Sequence, residues 1–349
     1  MGSVESLPKT ELQINLDRPD KFYFTGDILS GTIDLDVSLG KLGVTELFLI
    51  LTGGIGYSVG DTAVRYNNQG SHFIGQTKLL FYSTKVIIAQ PQSGQNEIPL
   101  APGQYSWRFE ILLPVHLPPT INLPTSSPHI YYNLQVTVST PWFEISIDKK
   151  NLSFQVCPRV NILQNPQCSV PIVFGNRNRK GVVFRGTLDK GAYVPGESII
   201  LTVEIENPQK ALIQSIKLFM MQFYQIAQNR HENTLHQLVL QTIRNRKDEY
   251  MTEILSLIIP PGPLLPTYGF QRDSDRNTHV SIQYYLRLEL TVHGILSDFN
   301  AQTPFTIGTE PRGQFNQQPT SDHEYRTERV SNNDDDDDPP PDYYSAIQK

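Results

Sequence analysis

Cysteine is nearly missing from this chain: Cys157 and Cys168 are the only two in 349 residues. Two thiols cannot make a disulfide framework. Neither has a Cys-x-x-Cys partner or a histidine at ligand spacing, which argues against a zinc site and points to a reducing, cytosolic setting. Long apolar runs are missing too, so nothing reads as a membrane-spanning helix, and the N-terminus has no charged region leading into an apolar core of secretory type. Helical periodicity is nowhere sustained. Most of the chain also lacks net charge. Between Glu310 and Lys349 ten acids face four bases, which accounts for the whole formal charge of −6. The neutral remainder excludes a general nucleic-acid binder.

What the chain has is strand-and-turn material: 16 Tyr and 16 Phe set among 26 Pro and 23 Gly. It also writes one pattern twice. Tyr23 is followed by Thr25-Gly26-Asp27, then by Ile33 and Leu35 alternating with Thr32, Asp34 and Asp36. At a constant shift of 170 residues, Tyr193 is followed by Pro195-Gly196-Glu197, then by Leu201, Val203 and Ile205 alternating with Thr202, Glu204 and Glu206. Glycine supplies the positive φ of a tight turn, and period-2 alternation makes a strand with one buried face. Each copy is thus a turn launching a half-buried strand. Leu123-Pro124-Thr125 with Tyr132-x-Leu134, and Leu265-Pro266-Thr267 with Tyr284-x-Leu286, supply a second pair of landmarks in the same order. Unequal spacing between them suits two divergent tandem domains better than a short-period repeat.

The chain accordingly divides into an N-terminal arm over 1–10, a first β-sandwich over 11–158, a linker over 159–180, a second sandwich over 181–309 and a disordered acidic tail over 310–349. Strands are expected in the first sandwich at 12–16, 28–37, 44–51, 78–88, 107–113, 131–138 and 152–156. The second should hold strands at 181–188, 198–206, 213–224, 254–259 and 280–293, with 231–247 open between a short helix and a long hairpin.

Candidate chemistry is sparse. His231 and His236 flank a near-match to a zinc-protease helix, but stand five apart where the motif needs four. Gly53-Gly54-Ile55-Gly56 suggests a nucleotide loop, yet the third Gly of that motif falls one residue late, so a loop between strands is the better reading. Nucleophile elbows and phosphate loops are absent. No enzyme, cofactor, metal or small-molecule substrate is expected. Gly2, with Ser6 four residues on, fits a loose myristoylation pattern, against the plainer reading of a frayed terminus. Arg177, Arg179 and Lys180 close the linker; they read first as a solvated connector and second as a contact for anionic lipid.

The sharpest motif lies in the tail. Pro340-Pro341-Asp342-Tyr343 is a PPxY sequence behind the acidic run Asp334 to Asp338. Adjacent prolines pre-form a polyproline II ridge for an aromatic-lined groove such as a WW domain, with Tyr343 filling a second pocket. Tyr344-Ser345-Ala346-Ile347 overlaps it with a degenerate tyrosine-based sorting pattern.

Taken together, Tyr23-x-x-Gly26-Asp27, Leu113-Pro114, Leu123-Pro124, Tyr132-x-Leu134, Tyr193-x-Pro195-Gly196-Glu197, Asn207, Ile259-Pro260, Leu265-Pro266, Tyr284-x-Leu286 and the closing Pro304-Phe305-x-Ile307-Gly308-Thr309 resemble the α-arrestins over residues 11–309. The resemblance implies two tandem arrestin-type, immunoglobulin-like β-sandwiches. It implies a cytosolic adaptor, peripherally associated with the plasma membrane and endosomes. Membrane receptors or transporters would be the cargo. Pro340, Pro341 and Tyr343 would recruit a WW-domain HECT ubiquitin ligase of the Nedd4 type, so that cargo is ubiquitinated, endocytosed and sorted. Departures are a single PPxY where two are common, no cysteine in 181–309 to support thioredoxin binding, and no tail pattern for clathrin or its adaptors. The alternative is a coat-like sorting subunit on the same fold, similar to the arrestin-like component of retromer, acting without a ligase.

Overall fold

The computed structural model describes residues 9–58, 76–121, 128–141, 143–261, 264–270, 278–294 and 298–309. Among the described residues ten strands build the first lobe. They are β1 (Lys9–Leu16), β2 (Phe22–Phe24), β3 (Ile28–Leu39), β4 (Leu42–Val44) and β5 (Glu46–Ser58), then β6 (Gln76–Ala89), β7 (Ile98–Leu100), β8 (Gly103–Leu112), β9 (His129–Thr140) and β10 (Phe143–Cys157). One sheet runs β1-β3-β8 and the facing sheet runs β2-β10-β9-β5-β6, with β4-β7 as a small ribbon. The second lobe holds β11 (Ile172–Arg177), β12 (Val183–Leu188), β13 (Ala192–Tyr193), β14 (Ser198–Glu206) and β15 (Ile213–Ile226), then β16 (Asn229–Val239), β17 (Tyr250–Ile258), β18 (Tyr268–Phe270), β19 (Val280–Val292) and β20 (Phe299–Ile307). Its sheets run β11-β12-β14-β17 and β13-β20-β19-β15-β16, with β18 added on β19.

The alternation read from the sequence decides which face is inside. Ile33, Leu35 and Val37 of β3 are buried, and so are Leu201, Val203 and Ile205 of β14, while the acids between them face out. Each such side chain contributes ~1.5–3 kcal/mol on leaving water. The duplication extends to topology, with β11 and β18 added in the second lobe and the β4-β7 ribbon in the first. β2 joins β10 in parallel with Tyr23 beside Val156, and β13 joins β20 in parallel with Tyr193 beside Ile307. Tyr23 and Tyr132 both pack on Phe154 at 5.9 Å; Tyr193 and Tyr284 pack on Phe305 at 6.0 and 5.9 Å. All four tyrosines are fully buried.

Several expectations change. Leu123-Pro124-Thr125 lies outside the described residues, and the counterpart of Leu265-Pro266-Thr267 is Pro118-Pro119-Thr120. The Tyr132 hydroxyl donates to the Pro118 carbonyl as Tyr284 does to Leu265. Thr120 Oγ1 accepts from the Val156 N–H (2.9 Å) as Thr267 Oγ1 accepts from Ile307 (2.8 Å). Gly53-Gly54-Ile55-Gly56 is strand β5, not a loop. A Cβ on Gly53 would stand 2.7 Å from the Tyr132 ring, and one on Gly54 would stand 2.7 Å from the Tyr131 hydroxyl, so the glycines make room for rings on the neighbouring strand. Of the two readings open for 231–247 the hairpin holds, since β16 pairs antiparallel with β15 and a turn follows it. The stretch expected as linker to residue 180 contributes β11, paired residue for residue with β12. The N-terminal arm gives Lys9 and Thr10 to β1. Strand β20 went unread because Pro304 interrupts it. β13 pairs only with Thr306 and Ile307, so one side of β20 is open at Pro304, where a strand proline is tolerated.

Thr120→Val and Thr267→Val should each leave a buried backbone N–H without its acceptor. A loss of about 1–3 kcal/mol is expected in urea unfolding, with similar size in both lobes. Unchanged midpoints would show that these hydroxyls are dispensable.

Candidate functional site

The two Gly-acid turns sit where the lobes meet, and each closes its sandwich in the same way. Gly26 and Gly196 take φ of 83° and 87°. The Gly26 N–H donates to Leu113 O (3.0 Å) and the Gly196 N–H to Ile259 O (3.1 Å). The carboxylates fold back on the chain: Asp27 accepts from the Phe24 N–H (3.1 Å) and Glu197 from Val194 (3.0 Å). That doubly bonded turn explains why an acid follows the glycine in both copies.

Each carboxylate then gathers cations. Asp27 takes Arg18 at 2.7 Å and Arg159 at 2.9 Å; Arg18 lies over the Tyr23 ring and Arg159 over Phe24. Glu197 takes Lys190 at 2.8 Å, and Lys190 lies over Tyr193. Burial alone would raise the Asp27 pKa. Hydrogen bonds from Arg159, Arg18 and the Phe24 N–H outweigh it and hold the carboxyl below its ordinary range.

Arg159 begins the connection between the lobes. The next residue, Val160, exchanges two hydrogen bonds with Thr309, at 2.9 and 3.0 Å. Ile162 then packs with Ala192 and Val194, so close to Gly308 that a Cβ there would fall 2.4 Å from Ile162 Cγ2. Across the same seam the Tyr268 hydroxyl donates to His116 O (2.9 Å), and Phe81 meets Phe270 at 5.8 Å. Cys157 lies here as a free thiol that burial pushes up to about 11, which keeps it protonated and unreactive at neutral pH.

At the far end of the second lobe the structure assembles a basic tip. Arg177, Arg179 and Lys180 belong to the β11–β12 hairpin, turned by Gly181 and by Asn178, whose side chain accepts from the Lys180 and Val182 N–H groups at 3.0 Å. Lys180 Nζ donates to His293 O (2.6 Å), and the His293 N–H to Leu212 O (2.8 Å). Asn207, fully buried, ties the 207–212 loop to the 241–249 loop. Its N–H donates to Glu249 O (2.7 Å) and its side chain bonds Ala211 and Asp248. Loops remote in sequence therefore stand side by side. Residues 176–182, 207–212, 241–249 and 292–294 hold seven cationic side chains and two acidic ones, a net excess of five positive charges on a body whose total charge is zero. Arg177, Arg179, Lys210, Arg244, Arg246 and Lys247 are all exposed.

The other candidates separate. His231 and His236 stand on β16 rather than on a helix, roughly 16 Å apart at strand rise, and His231 stacks on Tyr224 at 4.7 Å. Gly2, Pro340, Pro341, Asp342, Tyr343, Tyr344 and Ile347 lie outside the described residues. Sequence reading missed Arg18, Arg159, Lys190, Lys210, Arg244 and Lys247. Only Asn207, a polar residue ending an alternating strand, carried a signal.

Comparison with protein families decides what the duplication is. The model of the arrestin (or S-antigen) N-terminal domain matches residues 12–163, and that of the arrestin C-terminal domain matches 178–312. The chain belongs to the arrestin family. No curated protein sequence matches it. The two matches fall on the two lobes, and the residues between them hold the short 3-10 turn at Pro166–Ser169 and β11. Arrestin domains give the chain an adaptor role in membrane trafficking, toward membrane cargo or trafficking machinery.

Asp27→Asn should leave Arg18 and Arg159 with a weaker acceptor and cost ~1–3 kcal/mol at neutral pH. Because the folded-state pKa of Asp27 is depressed, its contribution is present above the unfolded carboxyl range and fades as pH falls through the folded value. Urea midpoints of the two proteins should therefore differ at pH 7 and converge toward pH 2–3. A gap that persists in acid would assign the effect to packing instead.

Proposed function

We propose that this arrestin-family chain is an α-arrestin that couples membrane cargo to a WW-domain HECT ubiquitin ligase of the Nedd4 type, leading to cargo ubiquitination, endocytosis and endosomal sorting. The observation that carries this reading is the order of parts in the sequence: two arrestin domains, then an acidic stretch, then Pro340-Pro341-Asp342-Tyr343. A pre-formed proline ridge loses little entropy on docking, and Tyr343 adds a second anchored side chain. The lobes would hold cargo while the tail brings the ligase, so the chain needs no catalytic group of its own. Lysines on the cargo or on the adaptor would be the acceptors.

The protein would work in the cytoplasm at the surface of the plasma membrane and endosomes. Arg177, Arg179 and Lys180 would meet anionic headgroups there, joined by the other cations of the tip. Each basic side chain near such a surface is worth about 1 kcal/mol. An acyl chain on Gly2 would add only marginal residence by itself, so the tip and the cargo would dominate membrane binding. The Tyr344 and Ile347 pattern would act as a sorting signal when Tyr343 is not engaged by a WW domain.

Titration of the full chain against Nedd4-type WW domains, beside Tyr343→Ala, tests the ligase arm. Micromolar binding that weakens tenfold or more in the variant is expected. Equal or absent binding in both would sink the ligase-adaptor reading and favour an arrestin-fold coat subunit of the retromer kind.

A further inference from the structure

Tyrosines of the two lobes are placed unequally. Of the eleven described tyrosines whose burial is given, ten are buried or half-buried, and most pack as rings inside the sandwiches or at the seam. Tyr250 is the exception, at 72% exposure, on a face where Ile254 and Ile258 follow it along β17. It is the first residue of that strand. β17 ends the sheet order β11-β12-β14-β17, so no strand covers its far side among the described residues. An extended, open-edged backbone is the conformation that a strand-adding partner reads. Acidic residues flank Tyr250: Asp248 and Glu249 precede it, and Glu206 is its register partner on β14. Immediately before those acids come Arg244, Arg246 and Lys247 of the basic tip.

We infer that Tyr250 is a phosphorylation site for a protein tyrosine kinase, and that the phosphate acts as an electrostatic release for the basic tip. The release function rests on the anionic-surface reading of that tip; the modification does not. In the step itself the γ-phosphoryl group of ATP passes to Tyr250 Oη. The phenolic proton goes to the carboxylate base of the kinase, the Oη–P bond forms, and the bond to the leaving ADP breaks. The hydroxyl needs no unfolding to be reached, because ring and strand edge both face solvent. The flanking acids suit a kinase groove that is itself basic. Once attached, a group of about −1.5 to −2 charge stands beside loops whose excess is five positive charges. It also adds to Glu206 and Glu249, so the outer corner of β14 and β17 turns anionic and is repelled by an anionic bilayer. Attraction at a charged surface changes roughly fivefold per elementary charge.

Treatment of the full chain with a broad-specificity tyrosine kinase and Mg-ATP, followed by peptide mass spectrometry, reads the site. Sedimentation with vesicles of phosphatidylserine and phosphatidylcholine reads the release. Phosphate on Tyr250 is expected, with vesicle partition falling about tenfold or more. Tyr250→Phe, treated identically and still modified elsewhere, should keep its partition. An unmodified Tyr250 in the folded chain would overturn the site. Phosphate on Tyr250 without loss of binding would overturn the release, provided that the triple variant Lys210→Glu, Arg244→Glu, Lys247→Glu does lose it. If that triple variant also binds as before, the membrane reading of the tip fails while the modification site stands.

Discussion

Each lobe depends on a tyrosine held edge-on to a phenylalanine at the point where the chain re-enters its own sheet. Tyr23 against Phe154, and Tyr193 against Phe305, fix a two- or three-residue strand that adds in parallel to the closing strand of the lobe. So short a parallel pairing has little hydrogen bonding to hold it. The buried ring supplies what the ladder lacks, through apolar burial and the edge-to-face contact. The glycine of positive φ then turns the chain into the facing sheet. The following acid bonds back to the turn, and both layers of the sandwich are fixed relative to one another.

The seam has a composition of its own. The first lobe's acid is served by two arginines, one of them from the connection to the second lobe, whereas Glu197 is served by a lysine three residues before its own tyrosine. The copies thus kept the carboxylate and changed the source of its cation. In the first copy the change couples a turn inside one sandwich to the segment that leads into the other. The paired hydrogen bonds between Val160 and Thr309, one to the Thr309 hydroxyl and one between backbones, and the packing of Ile162 on Gly308 continue that coupling across the joint. A seam built from backbone hydrogen bonds and close packing transmits displacement better than one built from exposed side-chain pairs. For an adaptor, that ties the placement of the second lobe to events on the first.

Strand content and the duplication were legible because both are written in short-range terms. Period-2 alternation around Ile33 and Leu201, and glycine followed by an acid, need no knowledge of the rest of the chain. The failures share a cause. Gly53 to Gly56 reads as a loop because glycine is usually a turn residue; only the rings of Tyr131 and Tyr132 on the next strand explain glycine inside β5. Leu123-Pro124-Thr125 matches Leu265-Pro266-Thr267 in letters, but Pro118-Pro119-Thr120 matches it in which backbone groups it bonds, and letters alone do not show that. Residues 172–177 read as linker because β11 is an edge strand with a half-polar face, and such strands alternate weakly.

Sequence by itself determined the fold class, the two-fold repeat, the neutral body with its acidic tail, and the PPxY motif, since each is a matter of composition or of residues within a few places of one another. Tertiary structure alone decided which cations meet. Arg18 and Arg159 converge on Asp27 from opposite ends of the first lobe, and Lys180, Lys210 and Arg244 come to one tip, because sheet pairing brings distant loops to a common end of the sandwich. It also decided that Tyr250 lies open while the other tyrosines of described burial are covered, a distinction set by which strand ends the sheet.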